Sequence, residues 1–225
     1  MIELLLVRHG NTFGPGDRVV WVGRGQDLPL VDKGREQARA LAGALAEAGW
    51  SPTAALSGGL KRQTEHLDIA TGGAPPPERH AALDEVDYGD WGGLTTDEIE
   101  ARFGADEVRA WNERSLWPER AGWPESRDEV VARVRALSAE IASGRHGERV
   151  LACSSNGLLR WFLDLVPGAL DAALAGGTFK VGTGRVGRLT VEPGPTPRWS
   201  VASWNLPPDA PFASDPSDAT RKRHG

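Results

Sequence analysis

The stretch of residues 2–12 reads IELLLVRHGNT and indicates the start of an α/β sheet. Five of its first six residues are apolar, a composition typical of a strand buried on both faces of a parallel sheet. Its last five residues, Arg8 to Thr12, are mostly polar and indicate a loop that leaves the strand. We therefore predict that Arg8 and His9 lie at the carboxyl end of a first strand, where parallel sheets bind their ligands.

The chain beyond this stretch alternates helical and strand-like segments up to about residue 165. Apolar residues recur at helical spacing after Asp32 and again from Ser126 to Ser143, and short buried runs occupy residues 53–56 and 150–153. Such alternation predicts an α/β fold with three layers, α/β/α, and a mainly parallel sheet. Further strand-like runs near 178–182, 186–192 and 198–204 are expected to close the domain with an antiparallel edge.

Residues 1–206 are expected to form one domain, because this length is enough for a single core. Within it, residues 105–125 or so form a tryptophan-rich insertion of helix and loop that we expect over the site. Its tryptophans either contact the organic part of a substrate or pack the insertion onto the body of the domain. Residues 207–225 hold four prolines and a basic end, and we expect a disordered tail there.

Composition excludes several classes of function. The formal charge of -5 argues against a nucleic-acid-binding protein, which is usually basic. No apolar run approaches the roughly 18 residues that cross a bilayer, so no membrane partner is expected. A single cysteine is typical of a reducing compartment, and we predict a cytoplasmic protein. Composition does not predict an oligomeric state.

Four side chains that converge on the predicted sheet edge suit phosphate chemistry. Two arginines, Arg8 and Arg62, offer planar forks of donors that match phosphate oxygens and neutralise a dianion. Their charge disfavours protonation of His9, which leaves a nitrogen lone pair free to attack phosphorus. A carboxylic acid such as Glu85 can protonate the leaving oxygen and then activate water. We find no cluster spaced like a metal site, so neither a metal nor another cofactor is expected.

The loop RHGNT after a strand resembles the signature of the histidine phosphatase superfamily, the phosphoglycerate-mutase-like proteins. The resemblance continues in the family's order over roughly residues 2–205. It includes Asp27-Leu28-Pro29-Leu30 with Gly34 and Gln37-Ala38, the run from Ser57 to Arg62, the acid-bearing loop from Leu83 to Gly93, and Glu125-Ser126 with Arg133.

This resemblance implies roles for individual residues. His9 is expected to become phosphorylated, Arg8 and Arg62 to clamp the phosphate, and Glu85 to donate the proton, with Asp84 and Asp87 as its rivals. The remaining candidates for binding substrate or phosphate are Asn11, Thr12, Gly23, Ser155 and Asn156. The run GDWGGL at residues 89–94 is more similar to the phosphatase branch than to the glycolytic mutases. A small phosphorylated molecule is thus the expected partner.

Two stretches depart from the family pattern. Ser155 stands where the family usually places a second histidine, and a serine donates a hydrogen bond but carries no charge. Its side chain either contacts the ligand or caps the helix that follows. After Arg62, residues 63–66 do not keep the usual spacing of a glutamine-threonine pair. Three functions therefore stay open: a metal-independent phosphomonoesterase, a mutase or altered chemistry, and a catalytically weak protein that binds a phosphate ligand.

Other reactive-looking residues are expected to be structural. Cys153 is expected to face the core, and His66 is expected to be a surface or structural histidine. Residues 182–187 spell G-x-G-x-x-G, but a strand-like run follows them instead of a helix, so they lack the context of a dinucleotide site.

Overall fold

A computed structural model describes residues 1–212 of the chain. It has six strands and seven α-helices within this range. The strands are β1 (Ile2–Arg8), β2 (Ala54–Ser57), β3 (Glu78–Arg79), β4 (Arg149–Ser154), β5 (Val186–Glu192) and β6 (Arg198–Leu206). The helices are α1 (Asp32–Glu47), α2 (Lys61–Thr71), α3 (Thr96–Phe103), α4 (Ala105–Arg114), α5 (Arg127–Ala142), α6 (Asn156–Leu159) and α7 (Ala169–Ala175).

All six strands form one sheet in the order β3-β2-β4-β1-β5-β6. The first four of these are parallel to one another, and β5 and β6 add the predicted antiparallel edge. The mainly parallel sheet predicted from the sequence is therefore confirmed. In the described part of the chain, residues 178–182 form no strand, so that prediction is wrong. The backbone of Val181 instead bonds to side chains, its N–H to Asn156 Oδ1 and its carbonyl to Arg8 Nη1.

Alternate side chains of β1 lie in the cores on opposite faces of the sheet. Leu4 and Leu6 pack with α5 and with the tryptophan-rich region, whereas Leu5 and Val7 pack with α1 and α2. Successive side chains of a strand point to opposite faces, so β1, which has apolar residues on both faces, needs cover on both. The predicted three layers are thus built around this strand.

The two long helices follow the predicted periodicity. The buried residues of α1 include Ala38, Leu41 and Leu45, which recur at three- and four-residue spacing. At the start of α5, Ser126 Oγ accepts the N–H of Glu129, and Glu129 returns a carboxylate oxygen to the N–H of Ser126. This reciprocal capping box fixes the start of α5 where the sequence predicted it.

The tryptophan-rich insertion packs onto the body of the domain. Trp111 is buried, and the rings of Trp117 and Trp123 pack edge-on against it and against each other. Among the described residues, a cavity opens at the carboxyl ends of the parallel strands. None of the three tryptophans lines it. The structure therefore supports the alternative in which they pack the insertion onto the body of the domain.

The C-terminal segment differs in part from the predicted disordered tail. Residues 210–212 form a short 3₁₀ turn, and the Phe212 ring lies 6.0 Å from that of Trp50. The rest of the predicted tail, residues 213–225, lies outside the described residues. No helix within residues 1–212 is both long and apolar enough to cross a bilayer. The cytoplasmic location stays a prediction.

Candidate active site

Strand register brings the polar ends of three strands to one edge of the sheet. Arg8 pairs with Ser154 across β1 and β4, and Ser57 pairs with Cys153 across β2 and β4. The backbone N–H of His9 then donates to the carbonyl of Ser154 at 3.1 Å. The loops that follow β1, β2 and β4 therefore leave the sheet side by side, as expected for a ligand site in a parallel sheet.

These loops surround a cavity of about 500 Å³, a size typical of small-molecule sites. All the predicted site residues except Ser155 line it, namely Arg8, His9, Asn11, Thr12, Gly23, Arg62, Glu85 and Asn156. The lining also includes Tyr88, Thr96, Thr183 and the segment from Phe13 to Val22 except residues 15–18, none of which we predicted as site residues.

His9 is held in one orientation by bonds at both ring nitrogens. Its Nδ1 lies 2.8 Å from the carbonyl oxygen of Gly10, so Nδ1 carries the proton and donates. Its Nε2 therefore holds a lone pair, which accepts from Nε of Arg62 at 3.2 Å. Burial and the charges of Arg62 and Arg8 hold the pKa of His9 well below its usual value. The imidazole is thus neutral near pH 7, with its unprotonated nitrogen facing the arginine.

Arg62 is fixed by backbone as well as by His9. Its Nη1 and Nη2 donate to the carbonyls of Gln26 and Gly23 at 2.8 and 2.7 Å. Three of its five N–H groups are thereby used, and two remain for a ligand. Burial lowers the pKa of Arg62, while the charge of Glu85 opposes that shift.

Arg8 has an unsatisfied donor. Its Nη1 donates to the carbonyl of Val181 at 2.9 Å, whereas its buried Nε has no hydrogen-bond partner among the described residues. Burial lowers the pKa of Arg8 too, and Glu85 again opposes the shift. Buried donors are rarely left unpaired, so Arg8 is suited to receive an anion's oxygen.

The carboxylate of Glu85 accepts hydrogen bonds from three donors. Its Oε1 accepts from the N–H of Val86 at 2.8 Å, and its Oε2 accepts from the N–H of Gly157 at 3.2 Å and from the Tyr88 hydroxyl at 3.5 Å. A Cβ added at Gly157 would lie 2.6 Å from Oε1 of Glu85 and 2.5 Å from the Tyr88 hydroxyl. Only glycine therefore lets the start of α6 approach the carboxylate this closely.

The rival acids are used elsewhere. Asp84 accepts from the N–H of Gly59 at 2.8 Å, and Asp87 forms an ion pair with Arg24 at 3.7 Å. Neither lines the cavity. The loop that carries all three acids is tethered from behind by Arg133, whose Nη1 donates to the carbonyl of Asp84 and whose Nε pairs with Glu125.

Ser155 lies beneath the cavity wall. Its side chain is buried, and its Oγ accepts from Nε2 of the buried Gln63 at 3.1 Å. Ser155 stands at the N-cap position of α6, but its side chain makes no capping bond, so the capping alternative is wrong. The next residue, Asn156, lines the cavity and accepts from Val181 with its Oδ1.

His66 was predicted to be a surface or structural residue, and the structure places it directly behind the His9 loop. Its ring is fully buried in α2, and its Nδ1 accepts the backbone N–H of Gly10 at 3.1 Å. Burial lowers the pKa of His66 to about 4. Cys153 is buried in the core, as predicted, and burial raises the pKa of its thiol. Residues 182–187 lead into β5, so they lack the helix of a dinucleotide site.

Curated proteins are similar in sequence to this chain over about half to most of its length. The first curated relative is a 2,3-bisphosphoglycerate-dependent phosphoglycerate mutase of Maricaulis maris, 34% identical over 117 residues; the match covers 49% of this chain and 46% of that enzyme. The mutase of Methylobacterium radiotolerans is 31% identical over 195 residues, which cover 84% of this chain and 90% of that enzyme.

Solved structures share the fold. A mycobacterial glucosyl-3-phosphoglycerate phosphatase superposes with a TM-score of 0.73 at 26% identity, over 92% of this chain and 99% of that one. An α-ribazole phosphatase of Shigella flexneri has a TM-score of 0.70 over 91% of this chain and 96% of that one; at 21% identity it shows the fold alone. A family profile described as histidine phosphatase superfamily (branch 1) matches residues 4–207. The chain belongs to the histidine phosphatase superfamily.

Proposed function

We propose that this protein is a metal-independent phosphomonoesterase that hydrolyses a small organic phosphate through a phosphohistidine at His9. The observation that carries the proposal is the lone pair on Nε2 of His9, which is held beside Arg62 in a cavity that also contains Arg8 and Glu85. Nucleophile, anion clamp and acid are the three parts that a phosphoryl transfer of this kind requires.

Binding uses donors that the protein leaves free. The two remaining N–H groups of Arg62 and the unpaired Nε of Arg8 bond to the phosphoryl oxygens. When the phosphate enters, a phosphoryl oxygen replaces Nε2 of His9 as the acceptor for the Nε–H of Arg62, which frees the Nε2 lone pair. Because the other Arg62 contacts are to backbone carbonyls, the guanidinium keeps its place as this bond is exchanged.

In the first chemical step, the Nε2 lone pair of His9 forms a bond to phosphorus, and the bond from phosphorus to the alcohol oxygen breaks. The electron pair stays on that oxygen, which takes the proton of the Glu85 carboxylic acid. The proton on Nδ1 of His9 stays hydrogen-bonded to the carbonyl of Gly10, which stabilises the charged phosphohistidine. The alcohol then leaves.

In the second step, the Glu85 carboxylate takes a proton from water as the water oxygen bonds to phosphorus. The nitrogen–phosphorus bond breaks, and its electron pair returns to Nε2 of His9. The net reaction converts the monoester and water into an alcohol and phosphate, and it restores the proton on Glu85.

The neighbours in the family support both hydrolysis and transfer. The mycobacterial neighbour carries the name of a phosphatase, whereas the curated relatives carry the name of a mutase. A mutase would pass the phosphoryl group from His9 to a second hydroxyl instead of to water.

A second candidate is a protein that binds a phosphate ligand and turns it over slowly. The observation in its favour is Ser155, which is buried on Gln63 and does not line the cavity. If this position belongs to a second histidine, as the family resemblance implies, the site lacks one charged donor for the transition state, and such a loss costs on the order of 10²-fold or more in rate.

The test is a phosphate-release screen over chemically diverse monoesters in the presence of a chelator, with His9→Ala as the matched control. Metal-independent release that disappears in His9→Ala is expected. Release that survives His9→Ala would overturn the mechanism. Absence of release, with ligand binding retained, would favour the binding protein, and transfer to an added alcohol instead of to water would favour the mutase.

A further inference from the structure

The wall of the cavity next to Glu85 is apolar. In the proposed reaction Glu85 protonates the leaving oxygen. The organic part of the substrate therefore begins beside Glu85 and contacts the residues that line the cavity next to it. The Tyr88 hydroxyl lies 3.5 Å from Glu85, and the ring of Trp21 packs edge-on against Tyr88 at 5.2 Å. The lining of the cavity also includes the apolar residues Phe13, Val19, Val20 and Val22.

This wall is fixed before any ligand binds. The backbone N–H of Trp21 donates to Leu94 at 2.9 Å, and its carbonyl accepts from Gly93 at 2.7 Å. Its indole N–H donates to Thr96 Oγ1 at 3.2 Å. At the rim, the side chain of Val19 is 63% exposed, so one part of the apolar surface is open to a ligand. A preorganised apolar wall binds an apolar group with little ordering cost.

Among the described residues, the lining of the cavity offers no cation for a second anion. Its two cations are Arg8 and Arg62, which the proposed reaction already uses together with His9 and Glu85. Nearby, Arg18 is paired with Glu98, and Arg24 is paired with Asp87. A carboxylate or a second phosphate on the substrate would lose water without gaining a charged partner, which is unfavourable.

We infer that the substrate is the phosphomonoester of an uncharged, largely apolar alcohol, aromatic or alkyl, and is not a phosphoglycerate or a bisphosphate. The inference rests on the proposed function, since it uses the position of the leaving group at Glu85. It goes further because it assigns specificity to the segment from Phe13 to Val22.

The experiment compares three monoesters on the full chain: 1-naphthyl phosphate, glycerol 3-phosphate and 3-phosphoglycerate. We expect kcat/KM to be highest for naphthyl phosphate and lowest for 3-phosphoglycerate. In Trp21→Ala, the ratio of kcat/KM for naphthyl phosphate to that for glycerol 3-phosphate should fall about tenfold, because an aromatic contact is lost. An unchanged ratio, or a preference for 3-phosphoglycerate, would overturn the inference.

A charge variant gives the converse test. Val19 is exposed, so Val19→Lys is tolerated by the fold and places a cation at the rim. It should raise kcat/KM for 3-phosphoglycerate severalfold, whereas the uncharged control Val19→Gln should not. Equal effects of the two variants would contradict the inference.

A binding measurement tests the substrate specificity independently of the proposed phosphatase activity. Calorimetry compares 1-naphthylmethylphosphonate with the phosphonate analogue of 3-phosphoglycerate, neither of which can be hydrolysed. If no ester is turned over but the naphthyl compound binds more tightly, the phosphatase proposal fails and the specificity stands. If the phosphoglycerate analogue binds as tightly or more tightly, the specificity fails whatever the activity.

Discussion

The backbone N–H of Gly10 donates to Nδ1 of His66 at 3.1 Å, which ties the loop after β1 to helix α2. The carbonyl of the same glycine accepts the Nδ1 proton of His9. A buried histidine on α2 therefore holds the glycine whose carbonyl selects the tautomer of the candidate nucleophile. The bond requires neutral His66, because a protonated imidazole has no acceptor.

Acid should weaken the fold through His66. Burial lowers its pKa to about 4, below the roughly 6.5 of an unfolded chain. The unfolded state therefore binds the proton first as the pH falls, and stability is lost between about pH 6.5 and pH 4. His9, whose pKa is also lowered, acts in the same direction.

The measurement for His66 is urea unfolding at pH 7.5 and pH 5, with His66→Asn as the variant. Asparagine keeps an acceptor near the Nδ1 position and does not titrate. The wild type should lose about 2 kcal/mol more of its free energy of unfolding between these pH values than the variant does. Equal losses in the two proteins would contradict this assignment of the acid sensitivity.

The rate loss caused by replacing Glu85, the candidate acid, should depend on the leaving group of the ester. In Glu85→Gln, the single-turnover rate with an alkyl phosphate should fall by about 10²–10⁴-fold, because an alkoxide needs a proton to leave. With 4-nitrophenyl phosphate the same rate should fall much less, since nitrophenolate leaves without one. A burst of nitrophenolate should precede slow turnover, because water is no longer activated. Equal losses for the two esters would exclude Glu85 as the acid.

Gly157→Ala should damage catalysis more than stability. The added methyl meets the Tyr88 hydroxyl and Glu85 Oε1, so the carboxylate has to move. A shift of about 1 Å lowers kcat by on the order of 10²-fold. Gly43→Ala is the control, because that helix position is open and alanine there should stabilise α1 slightly. If kcat in Gly157→Ala matches the control, the position of Glu85 is not critical.

The effect of substituting Ser155 on kcat should depend on the residue at position 63. Because Gln63 is buried against Ser155, the single change Ser155→His has no room for its ring and should lower Tm without raising kcat. Combined with Gln63→Ala, the histidine gains space and a charged donor. The double variant should then exceed Gln63→Ala in kcat by about tenfold or more. If it does not, position 155 is not directed toward the phosphate.

The sheet and its long helices were predictable because they depend on local periodicity. The apolar run of β1, the spacing of α1 and the capping box of α5 each appear directly in the sequence. The clustering of Arg8, Arg62 and Glu85 was also predictable, since parallel strands deliver their following loops to one edge.

What the sequence did not predict depends on contacts between distant segments. Residues 178–182 have strand-like composition, but the side chains of Arg8 and Asn156 take the backbone bonds of Val181. The tryptophan spacing did not indicate which neighbours the rings pack against. His66 and Gln63 became site neighbours only through the way α2 lies against the loops after β1 and β4.

We predict that the phosphoryl group passes through Nε2 of His9 during turnover. The most direct measurement is a rapid alkaline quench during turnover of an aryl phosphate, followed by mass spectrometry of the peptide that contains residues 2–12. A phosphate on His9 that is stable in base, labile in acid and absent from His9→Ala is the predicted result. Turnover in His9→Ala, or a phosphate trapped on another residue, would contradict the account.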